Sequence, residues 1–338
     1  INDYQIIIIR RQLNYFQNIF FLIISIFVIT MSLKLTSKEH ISLKSYFNKD
    51  SVGVDLDEYL RNNEKKIPNI KVGVEKRIIW SDKKNTKTPI AIIYIHGFTA
   101  SSEEARPLPD LLAKNIKSNI FYTRLTGHGR NEEAMASSSI KKWITDLYEA
   151  IEIGSKIGEK IIIMSTSTGG TLSSIAAIDP MLSKNILGFI FISPNFGINH
   201  KLANLITWPL SKYWLSLIIG KTTKSKARND LNAKYWTLAY PTNALIPMAN
   251  LVKKVNEQDF SNVKIPALFY FSLDDKVVRP DKTIQFIKNW GGESTSHNVT
   301  MSDNDDQYSH VVVGNIISPN QTEHAYKIMI KWINSIKK

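Results

Sequence analysis

Ile161-Ile162-Ile163-Met164-Ser165-Thr166-Ser167-Thr168-Gly169-Gly170 is the stretch on which the reading of this chain turns. An apolar run suited to a buried strand passes into a small-x-Ser-x-Gly turn and then into a helical pattern, which is the layout of a nucleophile elbow. Such a turn is tight and strained, so its flanking residues must be small, and the serine Oγ stands exposed above the sheet edge. Ser165 occupies the place of the pattern's first glycine and is small enough to fit. A Ser-x-Gly turn after a strand is also an ordinary structural device. Whether Ser167 is a nucleophile therefore depends on the rest of the chain.

Upstream, Pro89-Ile90-Ala91-Ile92-Ile93-Tyr94-Ile95 reads as a buried strand that ends in His96-Gly97-Phe98-Thr99, followed by a polar loop and a helix. Acyl transfer needs donors aimed at the oxygen that becomes negative in the tetrahedral intermediate. Beside an elbow these are the N–H after the nucleophile, here Thr168, and one from this earlier loop, assigned to Phe98. Gly97 lets the backbone turn its amide inward. Gly169 opens the elbow helix, and His96, at the strand end, reads as a brace for the loop rather than as a base.

A serine nucleophile needs a base, and the base needs an orienting group. A third apolar run, Ala267 to Phe271, ends in Ser272-Leu273-Asp274-Asp275-Lys276-Val277-Val278. Asp275 is chosen as the acid because the residues after it suit a loop that turns back and packs; Asp274 reads as a solvated turn residue. Asp305-Asp306-Gln307-Tyr308-Ser309-His310 then places a histidine in a polar loop before the last helical stretch, Thr322 to Ile336. Of seven histidines, His310 alone follows the acid in a loop of this type. His128, in Thr126-Gly127-His128-Gly129, reads as a turn brace, His297 falls in a strand-like alternation, and His324 lies on the terminal helix.

These residues resemble one known group as a set: His96-Gly97-Phe98-Thr99, Thr126-Gly127-His128-Gly129, Ser165-x-Ser167-x-Gly169-Gly170, Asp275-Lys276-Val277-Val278 and His310. The chain, over about residues 72–336, is similar to the carboxylesterase and monoacylglycerol lipase branch of the α/β-hydrolase superfamily, also labelled lysophospholipase-like or serine-aminopeptidase-like. The resemblance implies ester hydrolysis by a Ser167–His310–Asp275 triad, with no metal and no cofactor, on a small-molecule acyl ester. An acyltransferase using the same triad, or a silent surface-anchored binding module, are the rival readings.

The alternation of strand-type and helical runs predicts an α/β fold with a mostly parallel, doubly wound sheet. Between about 196 and 265 the alternation stops. That stretch, with Trp208, Tyr213, Trp214, Tyr235, Trp236 and Tyr240, is expected to form a helical cap over the serine. The 338 residues lack cysteine, which excludes disulfides and thiolate chemistry. Net charge is +13, yet the lysines are scattered and no nucleic-acid motif accompanies them, so no nucleic-acid partner is expected.

At the N-terminus, Ile19 to Leu33 is uncharged and almost wholly apolar, with Arg10-Arg11 before it and Lys34 after. That is short for a spanning helix of about 20 residues and suited to a signal-peptide core. No Ala-x-Ala-like cleavage site follows. An uncleaved signal anchor over residues 1–45 is therefore expected, holding a hydrolase domain over 46–338 at a membrane and outside the cytoplasm. A cleaved signal and a buried soluble helix are the alternatives. Residues 34–70 read as a polar linker with one short helix around Asp57 to Lys65. The oligomeric state is open.

Overall fold

The computed structural model describes residues 3–36, 42–44 and 47–337. The apolar runs become strands: β1 (Arg77–Ile79), β2 (Thr88–Ile95), β3 (Asn119–Tyr122), β4 (Gly158–Thr166), β5 (Ile186–Ile192), β6 (Thr222–Lys224), β7 (Ala239–Pro241), β8 (Ala267–Phe271) and β9 (Ser294–Asn298). Seven form one sheet in the order β1-β3-β2-β4-β5-β8-β9, and β6 pairs with β7 apart from it. β1 runs antiparallel to β3; every other neighbour in the large sheet is parallel. This is the doubly wound, mostly parallel sheet that the alternation predicts.

A parallel sheet is covered on both faces, so its strands are apolar on both sides. Ile93, Ile161, Ile163, Phe189, Phe191 and Phe269 face one layer, packing with helices Ile140–Ile157, Thr168–Ile178, Leu245–Asn256 and Pro280–Asn289. Their alternates Ile92, Tyr94, Ile162, Met164, Ile190, Leu268 and Tyr270 face helices Leu108–Asn115 and Thr322–Ile336. From β2 the chain goes to β3 on one side and then to β4 on the other. Crevices outside the carboxyl ends of strands at such a switch point are where open α/β sheets bind ligands.

Three expectations change in extent. Val72 to Trp80, which reads in the sequence as an early strand, forms only the three-residue β1, because Val72 is exposed and Gly73 takes φ +91°. The 34–70 stretch is no free linker where it is described. Val52, Leu56 and Leu60 are buried in the main core, and Leu43 and Phe47 pack against it. Spacing by four puts the three buried residues on one side of the segment, among charges that hid them. Asp55 caps the helix Leu56–Glu64 by accepting from the Glu58 N–H at 3.0 Å.

The third change is in the segment between β5 and β8. It is not wholly helical: short helices Ala203–Ile206, Ser211–Ile219 and Asp230–Tyr235 surround the β6–β7 pair. Helix Leu245–Asn256 belongs to the sheet's covering layer, with Leu251, Val252 and Val255 buried in the core.

The N-terminal helix, Asp3–Thr36, is longer than the apolar run alone suggests. Within it, the 22 residues Arg10–Met31 are long and apolar enough to cross a membrane, and none of that stretch is buried against the protein. At 1.5 Å per residue they span about 33 Å, against a hydrocarbon thickness of about 30 Å.

Candidate active site

Ser167 follows β4 directly and precedes helix Thr168–Ile178, with φ +52° and ψ −118°. A side chain at such a φ costs on the order of 1–3 kcal/mol and persists only where surroundings over-determine it. They do so here. The Ser167 N–H donates to the Ile192 carbonyl at 2.9 Å, and its carbonyl accepts from the N–H groups of Gly170 at 2.9 Å and Asn195 at 3.0 Å. Ser165 fits the missing-glycine position because it points into the protein, its Oγ 2.9 Å from that of Ser173 on the elbow helix. Gly169 has no such freedom: a Cβ there would lie 2.3 Å from the Ile95 carbonyl oxygen.

Ser167 Oγ lies 3.0 Å from His310 Nε2, and His310 Nδ1 lies 2.7 Å from Asp275 Oδ2. The other oxygen, Asp275 Oδ1, accepts from the N–H groups of Val277 at 2.8 Å and Val278 at 2.9 Å. These bonds fix the carboxylate so that it faces the imidazole. Asp274 is exposed, whereas Asp275 is buried. Three side chains far apart in sequence thus meet at the carboxyl rim of the sheet. Burial opposes charge on His310, but the Asp275 carboxylate and its hydrogen bond, with Asp306 and Glu104 behind them, outweigh it and raise the imidazole pKa. A raised pKa makes the histidine a stronger proton acceptor.

The His96-Gly97-Phe98 loop lies against the elbow: a Cβ on Gly97 would sit 3.2 Å from the Ser167 Cβ. The Thr168 N–H, at the first helical position, has no partner within its helix. The Phe98 ring packs edge-on to His128, Trp143 and Tyr240, which holds the loop from outside. His96 is buried, and desolvation lowers its pKa to about 4, so it is neutral at pH 7. Its Nε2 accepts from the Leu125 N–H at 3.0 Å, which leaves Nδ1–H to donate to the Gly97 carbonyl at 2.9 Å. It braces the loop, and His128 is likewise turned to a carbonyl, that of Thr126, at 3.3 Å.

Two buried carboxyls beside the site escape a reading of the sequence. Asp306 Oδ2 accepts from the N–H groups of His310 at 3.1 Å and Val311 at 2.7 Å, and Oδ1 accepts from the Tyr308 N–H at 2.9 Å and from Arg228. It builds the loop that presents His310. Glu104 lies under the His-Gly loop, and burial lifts its pKa to about 7.

Of the aromatics between β5 and β8, Trp236 packs with Ala100 and Ile317, and Tyr240 with Met135 and Ala244. Trp208 and Tyr213 face solvent. Two clefts elsewhere, of about 520 Å³ beside Leu60 and Glu64 and about 740 Å³ beside Trp80 and Asn119, contain none of the three convergent residues. Among the described residues no group of three or more His, Asp or Glu is placed to hold a metal ion.

A family model described as serine aminopeptidase, S33, matches residues 86–301. The chain belongs to this α/β-hydrolase family. The match includes Ser167 and Asp275 and stops short of His310. A thermostable monoacylglycerol lipase from Bacillus sp. (strain H-257) is 28% identical over 196 residues, 57% of this chain and 73% of that protein. By fold, the chain is similar to the structure reported for the metagenome-derived lipolytic enzymes LipS and LipT (TM-score 0.61, 18% identity, 79% of this chain and 99% of that one). It is also similar to a soluble variant of the Saccharomyces cerevisiae monoglyceride lipase in complex with a substrate analogue (TM-score 0.60, 14% identity, 78% and 92%). The protein is an α/β-hydrolase enzyme whose relatives are of the lipase and esterase type.

Proposed function

We propose that this hydrolase cleaves carboxylic esters with apolar acyl groups, of the acylglycerol or lysophospholipid kind, through Ser167, His310 and Asp275. The observation that carries the reading is the hydrogen-bonded chain from Ser167 Oγ through both imidazole nitrogens to Asp275, at 3.0 and 2.7 Å. His310 Nε2 takes the Ser167 proton as Oγ attacks the ester carbonyl carbon, and Asp275 holds the Nδ1–H tautomer and stabilises the imidazolium. The N–H groups of Phe98 and Thr168 receive the negative oxygen of the tetrahedral intermediate. His310 then passes its proton to the departing alkoxide, leaving an acyl-enzyme. Water attacks that acyl group, gives a proton to His310, and releases the acid and the free serine.

An ester is favoured over a peptide by the chemistry beside the site. A substrate ammonium needs a free carboxylate, and Glu104 and Asp306 are both engaged by protein donors. Apolar residues in the segment between β5 and β8 suit an acyl chain, and we assign the part of it before helix Leu245–Asn256 as the cap. Arg10–Met31 is assigned as a membrane anchor with the hydrolase domain outside the cytoplasm; protease accessibility in intact cells and in vesicles tests that placement.

Activity is tested with p-nitrophenyl esters of graded chain length and with monoacylglycerols, beside an aminoacyl p-nitroanilide. Ester turnover that rises with acyl length and falls by several orders of magnitude in S167A is the expected result. A folded S167A protein that keeps its activity would overturn the assignment of the nucleophile.

A further inference from the structure

Glu104 is a buried acid that the proton relay does not use. It ends a short turn after the His-Gly loop, Ser102–Glu104, and is 3% exposed. Its Oε1 accepts two hydrogen bonds, one from the Gly97 N–H at 2.5 Å and one from the Tyr94 hydroxyl at 2.9 Å. The same Tyr94 hydroxyl is 2.8 Å from Thr166 Oγ1, on the residue before the nucleophile. Its other oxygen, Oε2, would be 3.1 Å from a Cβ on Gly97, on the flank of that residue that also faces the Ser167 Cβ. The Glu104 backbone is fixed as well: its N–H donates to the Ser101 carbonyl at 3.2 Å, and its carbonyl is packed so closely against Gly314 that a Cβ there would be 2.1 Å away.

One carboxyl therefore bonds directly to Gly97 and Tyr94 on the β2 side, and through the Tyr94 hydroxyl it is linked to Thr166 at the end of β4. Gly97 precedes Phe98 on the β2 side, and Thr166 is two residues before Thr168 on the β4 side. Oxyanion stabilisation depends on donors being in place before charge develops, because a donor that must move forfeits its advantage. Sub-ångström placement matters at this point of a reaction.

We propose that Glu104 is a positioning residue for the oxyanion pocket, a single buried acceptor that holds the Gly97 and Thr166 sides of the pocket in register. The proposal rests on the serine-esterase reading above. What the position must supply is an acceptor at Oε1, so a glutamine, whose amide oxygen can take the same two bonds, replaces it and an alanine does not.

The test is steady-state kinetics on a p-nitrophenyl ester with the full chain in detergent, for wild type, E104A, E104Q, E104D and S167A, with folding followed by circular dichroism. The rate of labelling by a fluorophosphonate, whose phosphoryl oxygen enters the same pocket, is the second readout. We expect E104A to lower kcat by about 30-fold with KM within about threefold, and to slow labelling in proportion. E104Q is expected to recover to within about fivefold of wild type. A folded E104A protein with wild-type kcat, or an E104Q protein as impaired as E104A, overturns the proposal. Should E104A fail to fold, E104D carries the test: its carboxyl is one methylene short of Gly97, and a wild-type kcat there is equally fatal. Failure of the esterase reading looks different, since S167A would then match wild type or wild type would not label.

Discussion

A carboxyl shut away from water takes its behaviour from the donors that meet it, and the three buried acids around Ser167 are met differently. Asp275 faces an imidazole on one oxygen and two backbone N–H groups on the other. D275N should leave the fold intact, since an amide oxygen can still accept from Val277 and Val278, but its NH2 would oppose the Nδ1–H tautomer. We expect kcat to fall by about 10⁴-fold, read by ester turnover beside an unchanged melting profile. In the wild type, His310 must be neutral to accept a proton. Its raised pKa puts the acid limb of the kcat/KM profile above the ordinary histidine value of 6.5. Glu104 makes folding stability depend on pH. Its pKa rises on folding from 4.5 to about 7 through burial, so the folded form holds the proton more tightly. That contribution is complete below pH 4.5 and is lost as pH climbs through 7, a difference of about 3 kcal/mol. Urea melts at pH 5 and pH 8 should show a smaller loss of stability in E104Q than in wild type.

At the scale of elements, the elbow helix starts against the end of β2, and Gly169 is the contact. A Cβ there would meet the Ile95 and His96 carbonyl oxygens at 2.3 and 2.6 Å. Both belong to backbone anchored in the sheet and cannot yield cheaply. G169A should cost about 3 kcal/mol or more in denaturant unfolding, whereas G53A, with nothing within 4 Å of its Cβ, should be neutral. This contact also explains what could be read without coordinates. A candidate nucleophile and a candidate acid that each follow an apolar run declare themselves, because the run fixes the strand and the strand fixes the rim; His310, in a polar loop, is legible only by its order after them. Adjacent like residues do not declare themselves. Glu103 and Glu104 are the same in sequence, yet Glu103 goes to Arg77 and Arg106 near the surface while Glu104 turns inward. Only tertiary packing separates them, and Asp305 and Asp306 pose the same difficulty. The strands β6 and β7 escaped because three residues are too few to display a period. Polar neighbours masked the burial of Val52, Leu56 and Leu60 for a similar reason: a stripe of single residues has no apolar run.

For the whole molecule, the question is where the independent folding unit begins, and charge settles it better than apolar area. Glu64 makes a two-pronged ion pair with the buried Arg124, at 2.8 Å on each prong. Lys76 meets Glu149 and Asp146, and Tyr59 donates to Glu149 at 2.8 Å. The segment 47–76 therefore neutralises charges that the rest of the domain buries. Removing one partner of a buried pair costs about 3–5 kcal/mol, because the remaining charge is stranded. A chain beginning at residue 77 would strand Arg124, Glu149 and Asp146 together, on top of losing Leu56 and Leu60 from the core, and it should aggregate. A chain beginning at residue 47 keeps every one of these partners. Of the described residues it sheds the long helix, none of whose Arg10–Met31 stretch is buried, and the short piece 42–44 with the partly buried Leu43, so its melting temperature should stay within about 3 °C of the full chain in detergent. The same cut should move the protein from the vesicle pellet to the supernatant on sedimentation while ester turnover per molecule is retained. A 47–338 protein that melts far below the full chain would mean that the long helix stabilises the domain directly, and the two would then have to be regarded as one unit.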